Sequence, residues 1–201
     1  MKNFMFFLML MIGFSSCQED QKPLINNSIN EQEENSLLYM REEEKLAQDV
    51  YMHAYSKYGI LAFQNIAESE NQHVNAILNL MEIHQIQDPL IGSETPGKFT
   101  LPEIQTLYQD LITKVNLSLE DALLAGMLIE DFDIYDLENA LKDIGNASIQ
   151  RIYQSLQCGS MNHLRAFENL IRSSNISYTP VYISQSDYED IINSTQLSCN
   201  N

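Results

Sequence analysis

From Ser36 onward the chain carries four long segments in which apolar residues recur at three- and four-residue steps, the spacing of helices that each bury one stripe. Every stripe is broken near its middle by ionisable groups. The first segment, near 36–58, runs Leu37, Met40, Glu44, Ala47, Tyr51, Ala54 and Tyr58. The second, near 62–85, runs Phe63, Ile66, Glu70, His73, Ile77, Leu80 and His84. The third, near 118–142, runs Leu119, Leu123, Gly126, Glu130, Asp133, Leu137 and Ala140. The fourth, near 147–172, runs Ile149, Tyr153, Leu156, Ser160, His163, Phe167 and Leu170.

Buried carboxylates without partners cost free energy and repel one another, so four that face one core require a neutralising charge. Glu44, Glu70, Glu130 and Asp133 bring four negative charges, and neutral His73 and His163 add nitrogen ligands. Two divalent cations balance that set. Carboxylate oxygen with imidazole suits iron first, and manganese or zinc as alternatives, better than copper(I). Glu43, on a second stripe with Leu46 and Val50, is the alternative to Glu44. Asp133 has the alternative of facing solvent or the backbone. His84 falls at a segment end, where a surface or capping role is expected, and His53 lies off the stripe and is expected to be exposed.

Punctuation supports an all-α chain. Gly59 can end the first helix, Asp88-Pro89 and Pro96-Gly97 break the chain after the second, Ser118 with Asp121 makes a capping pair, and Gly145 precedes the fourth. The first link is a short hairpin, whereas the second spans over thirty residues and contains a short helix expected from Thr100 to Thr113. With 201 residues, no Trp, 7 Gly and 5 Pro, one helical domain is expected over 35–172. Residues 173–201 read as a packing tail anchored by Tyr178 and Tyr182.

Residues 1–16 combine Lys2 with an apolar run from Phe4 to Phe14 and read as a signal peptide. The run Phe14-Ser15-Ser16-Cys17 resembles a bacterial lipobox, with Cys17 as the lipidated residue, and 17–34 reads as a flexible acidic tether. The expected location is the cell envelope, in the periplasm or on the outer-membrane surface, with the membrane reached through the lipid anchor. A formal charge of -17 argues against nucleic-acid partners and favours cations. Pairing of Cys158 with Cys199 is left open by the sequence, as is a homodimer.

Several of these stretches resemble known proteins. Glu44-Lys-Leu-Ala47-Gln-Asp-Val-Tyr51 resembles the first-helix pattern of rubrerythrins and ferritins, and Ile66-Ala-Glu-Ser-Glu70-Asn-Gln-His73 their second-helix Glu-x-x-His motif. Gly126-Met-Leu-Ile-Glu130 is similar to their third-helix stretch. From Leu37 to about Ile171, Met40-Arg-Glu-Glu-Glu-Lys-Leu-Ala, Ile129-Glu-Asp-Phe-Asp-Ile and Gly159-Ser-Met-Asn-His163-Leu-Arg-Ala-Phe resemble the ferritin-like bacterial family known as domain of unknown function 2202. The resemblance implies a ferritin-like four-helix bundle whose long crossover carries the chain from one helix pair to the next. It also implies a dimetal site for chemistry on peroxide, oxygen or ferrous iron.

One ligand of that pattern is missing, because Ser160 stands where a fourth-helix Glu is expected three residues before His163. Asp133, three residues after Glu130, can supply a replacement on the same helix face. The chain has no Cys-x-x-Cys pair, so an oxidoreductase would need an external electron donor. A non-catalytic metal-binding lipoprotein and a purely structural bundle are the other two readings. Tyr51 is expected as a packed core residue or a hydrogen-bond partner of the site, and Arg165 as an ion-pair partner beside His163. No phosphate-binding glycine loop, dinucleotide fingerprint, nucleophile elbow or zinc-finger cysteine spacing is present.

Overall fold

The computed structural model describes residues 29–92, 95–196 and 198–199. The expected signal peptide, Cys17 and most of the expected tether lie outside the described residues. Those described form six helices and no strand: α1 (Glu31–Tyr58), α2 (Leu61–Ile83), α3 (Pro102–Val115), α4 (Leu119–Asp143), α5 (Ala147–Ser173) and α6 (Gln185–Asn193). Among them, no helix is long and apolar enough to cross a membrane.

Helix α1 starts inside the segment read as tether. Asn30 accepts from the Glu33 N–H at 2.9 Å, and Glu33 accepts from the Asn30 N–H at 3.0 Å, which completes a capping box. Glu33 is buried because its other oxygen accepts from the N–H groups of Gly145 and Asn146, at 2.9 and 2.7 Å, in the α4–α5 turn. Residues 31–34 of the expected 17–34 tether are therefore helical. At the other end of α1, Gly59 takes φ 67°, a left-handed conformation that glycine adopts without Cβ strain.

Helices α1 and α2 form one antiparallel hairpin and α4 and α5 another, and the two hairpins face each other through α1–α4 and α2–α5 contacts. The crossover is pinned to α1 by charged residues. Glu42 accepts from the N–H groups of Thr100 and Leu101, at 2.8 and 3.1 Å, at the start of α3. Arg41 pairs with Asp88 at 3.2 Å, and Asp49 accepts from the Gly97 N–H at 2.8 Å. Helix α3, two residues later at each end than the expected 100–113 span, then packs on α1 and α4.

The apolar interior is divided in two. One cluster contains Leu46, Val50, Tyr51, Phe63, Met127 and Phe167. The other contains Leu37, Met40, Ile77, Leu80, Leu137 and Tyr153. Between them, along each long helix, lie the ionisable residues that interrupt the stripes. Packing is close there: a Cβ on Gly126 would stand 2.6 Å from the Phe167 ring.

The tail is partly helical. Asp131 on α4 accepts from the N–H groups of Val181, Tyr182 and Ile183, at 2.6, 3.2 and 2.8 Å, and from the Tyr178 hydroxyl at 2.6 Å. The Tyr182 ring lies against Phe132, 4.8 Å between centroids. Helix α6 then docks on α5 through Tyr188, whose hydroxyl donates to Glu168 at 2.5 Å.

Candidate metal centre

Each of the four long helices turns ionisable side chains into the layer between the two apolar clusters. A three-residue step keeps Glu70 and His73 on one face of α2, Glu130 and Asp133 on one face of α4, and Ser160 and His163 on one face of α5. Glu44 comes from α1. All seven side chains are buried.

Five of the six expected ligands converge in two groups that share one residue. Glu44, Glu70 and His73 offer ligand atoms that lie within 4.8 Å of one another, and so do Glu70, Glu130 and His163. His73 Nδ1 is 3.1 Å from Glu44 Oε2 and 2.8 Å from Glu70 Oε2. His163 Nδ1 is 2.8 Å from Glu70 Oε1 and 3.5 Å from Glu130 Oε2. Glu70 thus stands between the imidazoles, one oxygen toward each.

Several of these atoms lack an aligned hydrogen bond despite their proximity. His163 Nδ1, Glu44 Oε1 and Glu70 Oε2 are buried without one. Such orphaned atoms are costly unless another group meets them. Oxygen and nitrogen lone pairs that crowd one point at about 3 Å from one another have the spacing of ligands around a shared cation at roughly 2 Å. The residues present therefore fit a pair of divalent ions.

Surrounding residues orient the ligands. His163 Nε2 is hydrogen-bonded to Ser69 Oγ at 2.9 Å, which turns Nδ1 toward the carboxylates. The Tyr51 hydroxyl donates to Glu130 Oε1 at 2.5 Å, leaving Oε2 toward His163. Gly159 makes room for the other imidazole, since a Cβ there would stand 2.6 Å from His73 Nε2. Of these, Tyr51 was expected from its place on the α1 stripe. Ser69 carried no signal, whereas a glycine within an unbroken helix marks close approach.

The electrostatics call for positive charge. Burial lowers the His163 imidazole, but the Glu70 and Glu130 carboxylates outweigh it and push it up to about 10. His73 is likewise raised well above its usual value by Glu44 and Glu70 against the effect of burial. Burial raises Glu44 to about 7, with His73 opposing. Burial also acts to raise Glu70, but both imidazoles outweigh it and hold that carboxyl below the usual range. Protons on the imidazoles and metal ions are alternative ways to neutralise the same carboxylates.

Asp133 stands outside both groups. Its Oδ2 accepts from the Ser160 hydroxyl, and its Oδ1 is buried without a partner. Both oxygens of neighbouring Glu43 are also buried and unpartnered. Burial, then the Asp133 charge, pushes the Glu43 carboxyl well above its usual value, and burial does the same to Asp133. The three consecutive glutamates of α1 thus diverge: Glu42 to the crossover, Glu43 toward Asp133, and Glu44 to His73.

Arg165 corrects an expectation. Its guanidinium donates to the Ile191 carbonyl at 2.7 Å, to Ser194 Oγ at 2.7 Å and to Asn162 Oδ1 at 2.7 Å, so it secures the tail rather than pairing with a site carboxylate. His84 follows α2 as its C-cap, and half-buried His53 is bonded to Asn116 at 3.1 Å, both away from the site.

The centre is approached from two sides. A small cavity of about 20 Å³ lies on the carboxylate side, lined by Glu43, Glu44, Glu70, Leu111, Glu130 and Asp133 among others. That is room for about one water-sized molecule. On the imidazole side an open cleft of about 570 Å³ is lined by Ser69, His73, Gly159, Asn162, His163 and Cys199 among others.

The sequence matches a family model described as an uncharacterized protein domain, DUF2202, over residues 33–195. It is 44% identical over 167 residues to uncharacterized protein MJ0754 of Methanocaldococcus jannaschii, which covers 83% of this chain and 90% of that one. A crystal structure of hypothetical protein MJ0754 superposes with a TM-score of 0.82 at 43% identity, covering 84% of this chain and 96% of that one. With a family match that takes in every residue of the cluster, the chain belongs to the DUF2202 family.

Proposed function

We propose that this chain is a ferritin-like dimetal oxidoreductase of the cell envelope, anchored through Cys17, which acts on peroxide, oxygen or ferrous iron. The observation that carries the reading is the pair of Glu and His groups sharing Glu70, each buried and each with orphaned ligand atoms. Glu44, Glu70 and His73 would hold one ion, and Glu70, Glu130 and His163 the other. Bound iron or manganese would supply paired one-electron chemistry, the basis for two-electron reduction of an O–O bond.

The chain's own residues do the remainder. Ser69 and Tyr51 hold His163 and Glu130 in orientation. The apolar clusters above and below close the layer at its two ends, leaving the imidazole-side cleft as the open approach. The cavity on the carboxylate side suits a reactant of a few atoms. Glu43 and Asp133, whose carboxyls burial favours in the neutral form, are placed to hold a proton beside it.

A second reading, metal binding without turnover, draws on Ser160: Glu70 is the one carboxylate shared by both groups, and no α5 carboxylate joins it. Elemental analysis beside peroxide consumption separates the two. About two irons or manganese per chain, lost in Glu70→Ala and reduced to about one in His73→Ala, together with peroxide turnover in the presence of a reductant, is the expected result. Stoichiometric metal without turnover selects the second reading, and no metal after ferrous reconstitution rejects both.

A further inference from the structure

Cys158, the residue before Gly159 on α5, is joined by a disulfide to Cys199, 41 residues on. Both cysteines are half-buried. Cys199 lines the open cleft together with His73 and His163. Adjoining it, and sharing Ser155 and Cys199 with it, is a smaller cleft of about 210 Å³ that Cys158 and Arg151 also line. The disulfide therefore stands where a smaller, outer cleft adjoins the cleft that reaches the imidazoles. Along α5, Cys158 and His163 are separated by about 7.5 Å of helix rise.

A staple that only held the tail would need none of the polar groups gathered on one of its sulfurs. Arg165 Nη1 donates to Asn162 Oδ1 at 2.7 Å, and Asn162 Nδ2 donates to Cys199 Sγ at 3.2 Å. A cation thus polarises an amide whose N–H stabilises negative charge on Cys199, the sulfur that faces both clefts. Helix α6 is meanwhile docked without the disulfide: Tyr188 and Ile191 are buried, Tyr188 is bonded to Glu168, and Arg165 holds Ile191 and Ser194. Beyond Ser194, the Ser155 hydroxyl also donates to the Cys199 carbonyl at 2.9 Å, a contact that does not need the bond.

We propose that Cys158–Cys199 is a redox-active disulfide that takes two electrons from a dithiol reductant and delivers them to the peroxide reduced at the metal centre. This rests on the oxidoreductase reading above. A thiolate of the reductant enters the outer cleft and attacks Cys158 Sγ, and the S–S bond breaks with Cys199 leaving as the thiolate, the better leaving group because of the Asn162 donor. The second thiol of the reductant then attacks its own sulfur in the mixed disulfide, releasing Cys158 and leaving the reductant as a disulfide. In the other half of the cycle the two cysteine thiols give up two electrons and two protons and re-form their bond. The O–O bond of the peroxide breaks and takes them up as an alcohol, or water, plus water.

The test uses the full chain, metal-loaded and metal-depleted, with metal content measured in every sample. Brief exposure to reduced glutathione, acid quenching and peptide mass mapping should place the adduct on Cys158 rather than Cys199 by about tenfold or more, and Asn162→Ala should slow reduction about tenfold. After full reduction by dithiothreitol, one equivalent of hydrogen peroxide should restore one disulfide, about tenfold or more faster in the loaded protein. Adducts on Cys199, a bond that resists dithiothreitol until the protein is unfolded, or re-formation at one rate with and without metal overturns the proposal. Samples that bind no metal yet form the Cys158 adduct overturn the delivery of electrons through the failure of the metal reading, which the elemental analysis identifies.

Discussion

The Ser160 hydroxyl donates to Asp133 Oδ2 across the α4–α5 contact, while Asp133 Oδ1 stays buried without a partner. Ser160→Ala leaves the whole carboxyl without a donor and should destabilise the protein by about 1–3 kcal/mol. Asp133→Asn, close in shape to the neutral carboxyl that burial favours, should cost less. Urea denaturation at pH 7 checks the order, and a Ser160→Ala loss below that of Asp133→Asn refutes it.

Glu44 and Glu130 belong to one group each, and Glu70 to both. Substitution of either outer glutamate by Ala should therefore leave about one ion per chain if two bind to the parent protein, whereas Glu70→Ala should leave none. Equal loss in all three variants, measured by elemental analysis after dialysis, would contradict a centre built from two separable groups.

Gly159 and His73 share a space that no added carbon can enter, with 2.6 Å between a Cβ and Nε2. Gly159→Ala must displace the imidazole, at a cost of about 1–3 kcal/mol in stability, and with it a ligand of the first group. Thermal unfolding and metal titration read the two effects, and unchanged metal affinity would show that His73 does not coordinate.

In the metal-depleted protein the pH dependence of stability has a determined sign. Folding raises Glu44 from 4.5 to about 7 and His163 from 6.5 to about 10, so over these ranges the folded chain binds more protons than the unfolded one. The His163 contribution is complete below pH 6.5 and is lost as pH rises through about 10. Glu44 is lost earlier, between 4.5 and about 7. Stability without metal should fall from pH 5 to 10, and metal, which displaces those protons, should flatten the slope. Denaturation curves across that range test it, and stability that rises with pH in the metal-depleted protein defeats the assignment.

The helices and the residues of the buried ionisable layer were legible in the sequence because both are written in local period. Glu70 and His73, or Glu130 and Asp133, share a face through a three-residue step whatever surrounds them, and a charge on an apolar stripe shows against its neighbours. Periodicity alone left Glu42, Glu43 and Glu44 unresolved. Three consecutive helical residues point about 100° apart, and only the packing of the crossover, α4 and α2 against α1 decided that Glu42 binds the Thr100 and Leu101 N–H groups before α3, Glu43 meets Asp133 and Glu44 meets His73. Tertiary structure likewise decided that Glu33 opens a helix and closes the α4–α5 turn, that Arg165 turns to the tail, and that Cys158 meets Cys199 beside the imidazoles. Each of these joins groups far apart in the chain, where the burial and hydrogen-bond partners that choose a side chain's direction exist only once the helices have packed.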